Sequence, residues 1–344
     1  GFTTVNSKSK NPNTLFQNVR RLIFLSFKKK FLTLSAITAG TLSALHIFNR
    51  FIYHISTIDN ILAKNGENYY DWTYGRIFYT KEGSGSPILL VHDLNVCSSS
   101  YEWNKIKNDL AKTNTVYTID LLGCGLSEKP NLTYTNYLYV QLLTDFIKNV
   151  IGEKTDIIST GHSASIALMT CANDDTVIDR ILLINPESII DASKTPKHYN
   201  KVLKYILCTP IIGTFIYNLL VSKDRIEENF MTDYFYDHCK FKKRDLAAYV
   251  EASQSEKSHG RYLYANICSN FTNANVLNCL SKIDNSIFII VGNGNPEYSL
   301  AASQYQNQLP AIEICEIDKT KYLPQLEAPS DVLENIKIYF DLTA

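Results

Sequence analysis

Between Gly75 and Ile317, short runs of aliphatic and β-branched residues recur, separated by helix-length stretches. The runs predict strands at 75–80, 87–92 (PILLVH), 116–120 (VYTID), 156–160 (DIIST), 180–185 (RILLIN), 286–292 (SIFIIVG) and 311–317 (AIEICEI). Most are almost continuously apolar, as expected of parallel strands covered on both faces. Helices are predicted at 100–112, 135–150, 164–173, 299–308 and 330–341. Such alternation predicts an α/β fold with a mostly parallel, doubly wound sheet. It fails once. From about Ile189 to Leu280 no strand pattern occurs, and two stretches (199–223 and 244–257) read as helical. A helical lid at about 189–280 is therefore predicted over the carboxyl edge of the sheet, where ligands bind in open α/β sheets.

The N-terminal region has a different character. Phe31 to Phe48 is an apolar run without charge, just long enough to cross a bilayer. Residues 1–58 carry eight basic side chains and no acidic one, so residues 59–344 hold a net −8 within a chain of formal charge +0. The expected organisation is a basic segment (1–30), a transmembrane or signal-anchor helix (31–53), a connector (54–66) and a catalytic-type domain (67–344). Lys28, Lys29 and Lys30 precede the apolar run and Arg50 alone closely follows it, which predicts a single pass with a cytoplasmic N-terminus. A cleaved signal peptide, disfavoured by the long basic region and the lack of a clear Ala-x-Ala site, a transit peptide and a helix lying on the membrane are the rival readings. The acidic body argues against a nucleic-acid partner. The eight cysteines include no Cys-x-x-Cys pair and read as free, mostly buried thiols.

The strongest chemical signal is DIISTGHSASIALM (156–169). A buried strand runs into a helix through Gly161-His162-Ser163-Ala164-Ser165. A serine on such a turn, with small residues two before and two after, reads as a nucleophile elbow. The following helix would favour negative charge on an attacked carbonyl oxygen. Three further motifs are His92-Asp93-Leu94 after the third strand, DLLGCGLSEKP (120–130) after the fourth, and Glu327-Ala328-Pro329 opening the last helix.

Together these motifs resemble the α/β-hydrolase superfamily, in its epoxide-hydrolase, haloperoxidase-like and meta-cleavage-hydrolase branch, over roughly residues 68–344. The resemblance implies an α/β-hydrolase fold, Ser163 as nucleophile, and an oxyanion hole from the backbone N–H groups of Leu94 and Ala164. It implies no cofactor, and the sequence carries no nucleotide, flavin or metal motif. Three positions depart from the family pattern. Asp93 replaces the glycine of the usual His-Gly. Asn295 stands at the acid position, and Tyr322 stands at the histidine position. No histidine follows His259.

A serine needs a base that titrates near working pH, and tyrosine titrates near 10. Loss of triad members costs about 10⁴-fold or more in rate. His92 and His162 are the alternative bases, and Glu187 and Glu297 the alternative acids. His92 more often braces its loop, and the residue before a nucleophile, here His162, usually packs away from the site. Two functions follow. One is a membrane-tethered serine hydrolase of small esters, lactones or amides acting through Ser163 with an incomplete triad. The other is an inactive relative whose pocket binds a small-molecule ligand or a partner.

Overall fold

A computed structural model describes residues 12–63 and 68–342; Lys8 and Lys10 of the basic segment, residues 64–67 at the end of the connector, and the last two residues lie outside them. Two compact units divide the chain at Phe48 and Asn49. The first holds most of helix α1 (Pro12–Thr57), an unbroken helix of 46 residues. At 1.5 Å per residue it is about 70 Å long, more than twice a hydrocarbon core. Its Arg20–Thr57 stretch is long and apolar enough to cross a membrane. The helix continues through Thr57, four residues beyond the boundary expected from sequence.

The second unit is built on an eight-stranded sheet: β1 (Asn68–Trp72), β2 (Gly75–Glu82), β3 (Pro87–Val91), β4 (Thr115–Ile119), β5 (Thr155–Thr160), β6 (Ile178–Ile184), β7 (Ile287–Gly292) and β8 (Glu313–Ile317). The order is β1-β2-β4-β3-β5-β6-β7-β8. β2 runs antiparallel to β1 and β4, and every later pair is parallel. β1 escaped sequence reading because its Asn-Tyr-Tyr-Asp-Trp is polar and aromatic at an exposed edge, not an apolar run.

Side chains of the central strands alternate between two cores. Ile88, Leu90, Ile158, Leu182 and Ile290 face one side, and Leu89, Val91, Ile157, Leu183 and Ile289 face the other. Each such fully buried aliphatic side chain stabilises the fold by about 1.5–3 kcal/mol. The covering helices are α2 (Lys107–Leu110), α3 (Asn136–Phe146), α4 (Ser163–Asn173), and, after the lid, α12 (Pro296–Gln308), α13 (Pro324–Glu327) and α14 (Pro329–Tyr339). The helix expected at 100–112 is instead a 3-10 turn at Ser100–Trp103 followed by the short α2.

The regular elements of the lid are all helices: α5 (Ile189–Ala192), α6 (His198–Cys208), α7 (Ile212–Leu220), α8 (Lys223–Asn229), α9 (Lys243–Ser258), α10 (Arg261–Cys268) and α11 (Val276–Leu280). At the end of α9, Glu256, Lys257 and Ser258 hold three successive positive φ values (50°, 56° and 63°), a left-handed turn that redirects the chain into α10. All eight cysteines are free thiols; Cys97, Cys124, Cys171 and Cys279 are buried. Strand order reverses about β3, which lies between β4 and β5. The carboxyl ends of β3 and β5 therefore border the switch point at which this architecture places ligands.

Candidate functional site

β5 ends at Thr160 and α4 begins at Ser163, so Gly161 and His162 make the turn. Gly161 has φ +59°, and it is the one residue from Thr160 to Ser165 in the left-handed region. The strained corner of the strand–turn–helix is therefore Gly161, not Ser163. Read in that frame, Ser159-Thr160-Gly161-His162-Ser163 also has small residues two before and two after the corner. Ser163 occupies the small position that lets α4 approach β5. Its Oγ donates to the Thr160 carbonyl (2.8 Å) and lies 2.8 Å from Ser159 Oγ, fully buried. It faces the strand–helix junction and does not line the cleft.

The space a side chain on Gly161 would take is already filled. A Cβ built there meets the Tyr322 hydroxyl and lies 2.5 Å from Asp93 Oδ1. Tyr322, on the loop after β8, donates from Oη to Asp93 Oδ2 at 2.9 Å. Its ring stacks on Tyr234 of the lid, with centroids 5.3 Å apart, and tilts against Tyr298. Burial and the neighbouring Asp93 charge hold its phenol well above the usual range.

In an elbow, the residue after the corner gives its N–H to the oxyanion hole. Here that residue is His162, and its N–H donates to Asp93 Oδ1 at 2.8 Å. The expected donor Ala164 is committed elsewhere, donating to the Gly161 carbonyl at 3.2 Å. Leu94 is buried in the β3 loop beside Asp93. The Asp93 carboxylate thus takes the His162 N–H that a substrate oxyanion would use. Burial raises its pKa to about 6, partly offset by the His162 N–H and the Tyr322 hydroxyl. Behind it, buried Glu102 accepts from Asp93 N–H (3.2 Å) and from the Tyr249 hydroxyl (2.8 Å). Burial, and then the Asp93 charge, push Glu102 up to about 8.

The remaining predicted residues separate into two groups. His92 braces its loop: Nδ1–H donates to the Asp93 carbonyl (2.6 Å), and Nε2 accepts from Leu121 N–H (3.0 Å). Burial lowers its pKa and keeps it neutral. The His162 ring is bonded at both nitrogens. Nδ1 lies 2.7 Å from Glu187 Oε2 and Nε2 lies 2.9 Å from Thr272 Oγ1. Burial opposes its protonation, but the Glu187 charge and hydrogen bond outweigh it and raise the pKa. Asn295 caps α12, its Oδ1 accepting from Glu297 N–H at 3.0 Å, so it engages its own helix and not Tyr322. Exposed Glu297 sits on the rim.

A cleft of about 650 Å³ opens above this cluster, lined by His162, Glu187, Asn270, Asn273, Gln304 and Tyr322 among others. Gly161, Asp93 and Glu102 were not legible as site residues. Two signals pointed to them: the equally good small–x–corner–x–small frame centred on Gly161, and an acid where the family has glycine.

A soluble epoxide hydrolase from Corynebacterium sp. (strain C12) is 26% identical over 187 residues, covering 52% of this chain and 63% of that protein. An uncharacterized Mycobacterium tuberculosis protein is 30% identical over 103 residues, so the chain spans about 30% of that relative's length. Among solved structures, a membrane phospholipase A superposes with a TM-score of 0.64 at 14% identity, over 91% of this chain and 98% of that one. The epoxide hydrolase CorEH gives a TM-score of 0.59 at 20% identity, over 80% and 98%. Both share the fold. A sequence model of the Alpha/beta hydrolase family matches residues 88–334, well over half of the chain, and the chain belongs to that family.

Proposed function

We propose that this chain is a membrane-tethered member of its family that does not hydrolyse esters and uses the cleft beside its elbow to bind a small polar ligand. One observation carries the reading. The corner residue is glycine, and the Tyr322 hydroxyl and the Asp93 carboxylate fill the space that a nucleophile and an oxyanion would need. Chemistry at the corner would require a nucleophile, a base and free donors. Gly161 offers no side chain, Tyr322 holds its proton, and the His162 N–H is already bonded. The cleft lining of amides, a hydroxyphenyl and the His162–Glu187 pair favours a polar ligand. Tethering is supported by the apolar helix and its basic leading end, with the N-terminus on the cytoplasmic side.

The test is turnover of a short-chain p-nitrophenyl ester panel by the detergent-solubilised chain beside Ser163→Ala. Equal, background rates are expected, with no fluorophosphonate labelling of either protein. Turnover that disappears in Ser163→Ala would instead establish a serine hydrolase and end this proposal. Membrane tethering is tested separately by alkaline carbonate extraction, in which the chain should remain with the membranes.

A further inference from the structure

From Ala192 to Lys223 the lid carries five lysines and no acidic residue, in a body whose net charge is −8. Within this stretch lie α6 and α7. Together with the residues that follow α7 as far as Tyr234 they are apolar enough for a span, yet the chain bends by 108° at Thr209–Ile211. Their inner faces are packed against the body: Leu207, Gly213, Tyr217 and Asn218 are buried. A helix pair held to a folded domain along one side cannot cross a bilayer, but it can lie on one.

The outer faces are strongly apolar. Tyr199 (67% exposed), Val202, Tyr205 (75% exposed) and Ile206 recur at steps of three and four along α6, and Ile212 and Leu219 extend the patch onto α7. Single exposed apolar residues need no explanation, but a contiguous cluster does. Lys197 and Lys201 stand exposed beside the stripe. An apolar helical face flanked by lysines is the composition that binds the headgroup layer of an anionic membrane.

The position of the patch points to the same partner. Asn49 is the residue immediately after the apolar run, and the lid elbow is tied to it. Its Nδ2 donates to the Ile211 carbonyl (3.1 Å), and Asn218 Nδ2 donates to Asn49 Oδ1 (2.9 Å). Asn49, four residues before the expected end of the anchor, is thus bonded to Ile211 at the junction and to Asn218 of α7. Phe51 and Ile55, on the next turns, are exposed as well.

We infer that the α6–α7 elbow is a second membrane contact, lying in the headgroup layer of the bilayer that holds the anchor, with the α6 stripe buried among the lipids. This rests on the reading of residues 31–53 as an anchor.

The experiment uses the full chain in vesicles of phosphatidylcholine and phosphatidylglycerol, with or without lipid brominated in its acyl chains. The native Trp72 and Trp103 are buried and give a constant background. Tyr205→Trp and Ile212→Trp should each add emission that is blue-shifted and lost in brominated vesicles. Ile338→Trp, on α14 and also exposed, should add emission that bromine leaves unchanged. Lys197→Glu with Lys201→Glu should weaken the quenching at position 205. Carbonate extraction of the same vesicles separates the two readings. A chain that resists extraction while Tyr205→Trp and Ile212→Trp stay unquenched would overturn the elbow contact and leave the anchor standing. A blue shift without quenching would mean that another protein surface covers α6, and would also overturn it. Release by carbonate would remove the anchor and this inference with it.

Discussion

Gly161→Ala is the sharpest probe of the filled corner. The substitution adds one methyl group and acts in two ways. First, it places a Cβ on a residue with φ +59°, which costs about 1–2 kcal/mol. Second, the Cβ falls on the Tyr322 hydroxyl and within 2.5 Å of Asp93 Oδ1. Tyr322 must withdraw, and a buried carboxylate then loses a donor, at a cost of about 1–3 kcal/mol. The whole effect should be roughly 2–5 kcal/mol. In a Tyr322→Phe background the hydroxyl is already gone, so the same substitution should cost less: the backbone part, about 1–2 kcal/mol, and the contact with Asp93 Oδ1 remain, and the loss of the Tyr322 hydrogen bond does not. The coupling between positions 161 and 322 should therefore be about 1–3 kcal/mol, inside the range seen for residues in contact. Urea denaturation of the four proteins in detergent, followed by near-UV circular dichroism, measures it. Equal costs of Gly161→Ala in both backgrounds would refute the claim that Tyr322 occupies the corner.

Other outcomes follow from the same geometry. Asp93 and Glu102 have folded pKa values raised to about 6 and about 8, from ordinary values of 3.8 and 4.5. The native state holds their protons longer than the unfolded chain, so their stabilisation is complete below about pH 4 and is lost as pH rises towards 8. Denaturation midpoints should fall from pH 5 to pH 8, and Glu102→Gln should flatten the upper part of that fall; an unchanged slope would count against it. The combination G161S, D93G, Y322H and N295D should create ester turnover and fluorophosphonate labelling absent from the parent, and continued silence would show that the cleft itself has lost catalytic geometry. Lys257→Gly should relieve one of three left-handed residues and stabilise the chain by roughly 1 kcal/mol, read as a rise in Tm; a fall would show that the turn is held by its side chain.

The sheet was largely readable in the sequence, because its strands are buried on both faces and declare themselves as apolar runs. PILLV has no polar residue to mislead, and DIIST is buried along its whole length. The polar edge strand at Asn68–Trp72 had no such signature, and neither did the end of α1, where a helix continues through Ser56 and Thr57 without a composition change. The lid showed itself as a gap in the alternation, but its packing did not. The motif centres the elbow on Ser163, whereas the positive φ falls two residues earlier, on Gly161. A Gly-His-Ser-Ala-Ser string satisfies the small-residue rule in either frame, and only the sign of φ at Gly161 separates them. Motif spacing alone puts Tyr322 at the family's histidine position. Its bond to Asp93 depends on how the loops after β3 and β8 converge, which no local pattern encodes.

Asp93 also bears on how proteins of this family are counted. Surveys of hydrolases in cells often rely on reagents that react with an activated serine and thereby report abundance and engagement together. A chain that supplies its own carboxylate to the His162 N–H and has no side chain at its corner presents nothing for such a reagent to capture. On the function proposed above, it would be absent from an inventory made that way even when it is plentiful and bound to a ligand. Methods that register folding stability upon ligand addition, with no demand for reactivity, are the ones that would see it.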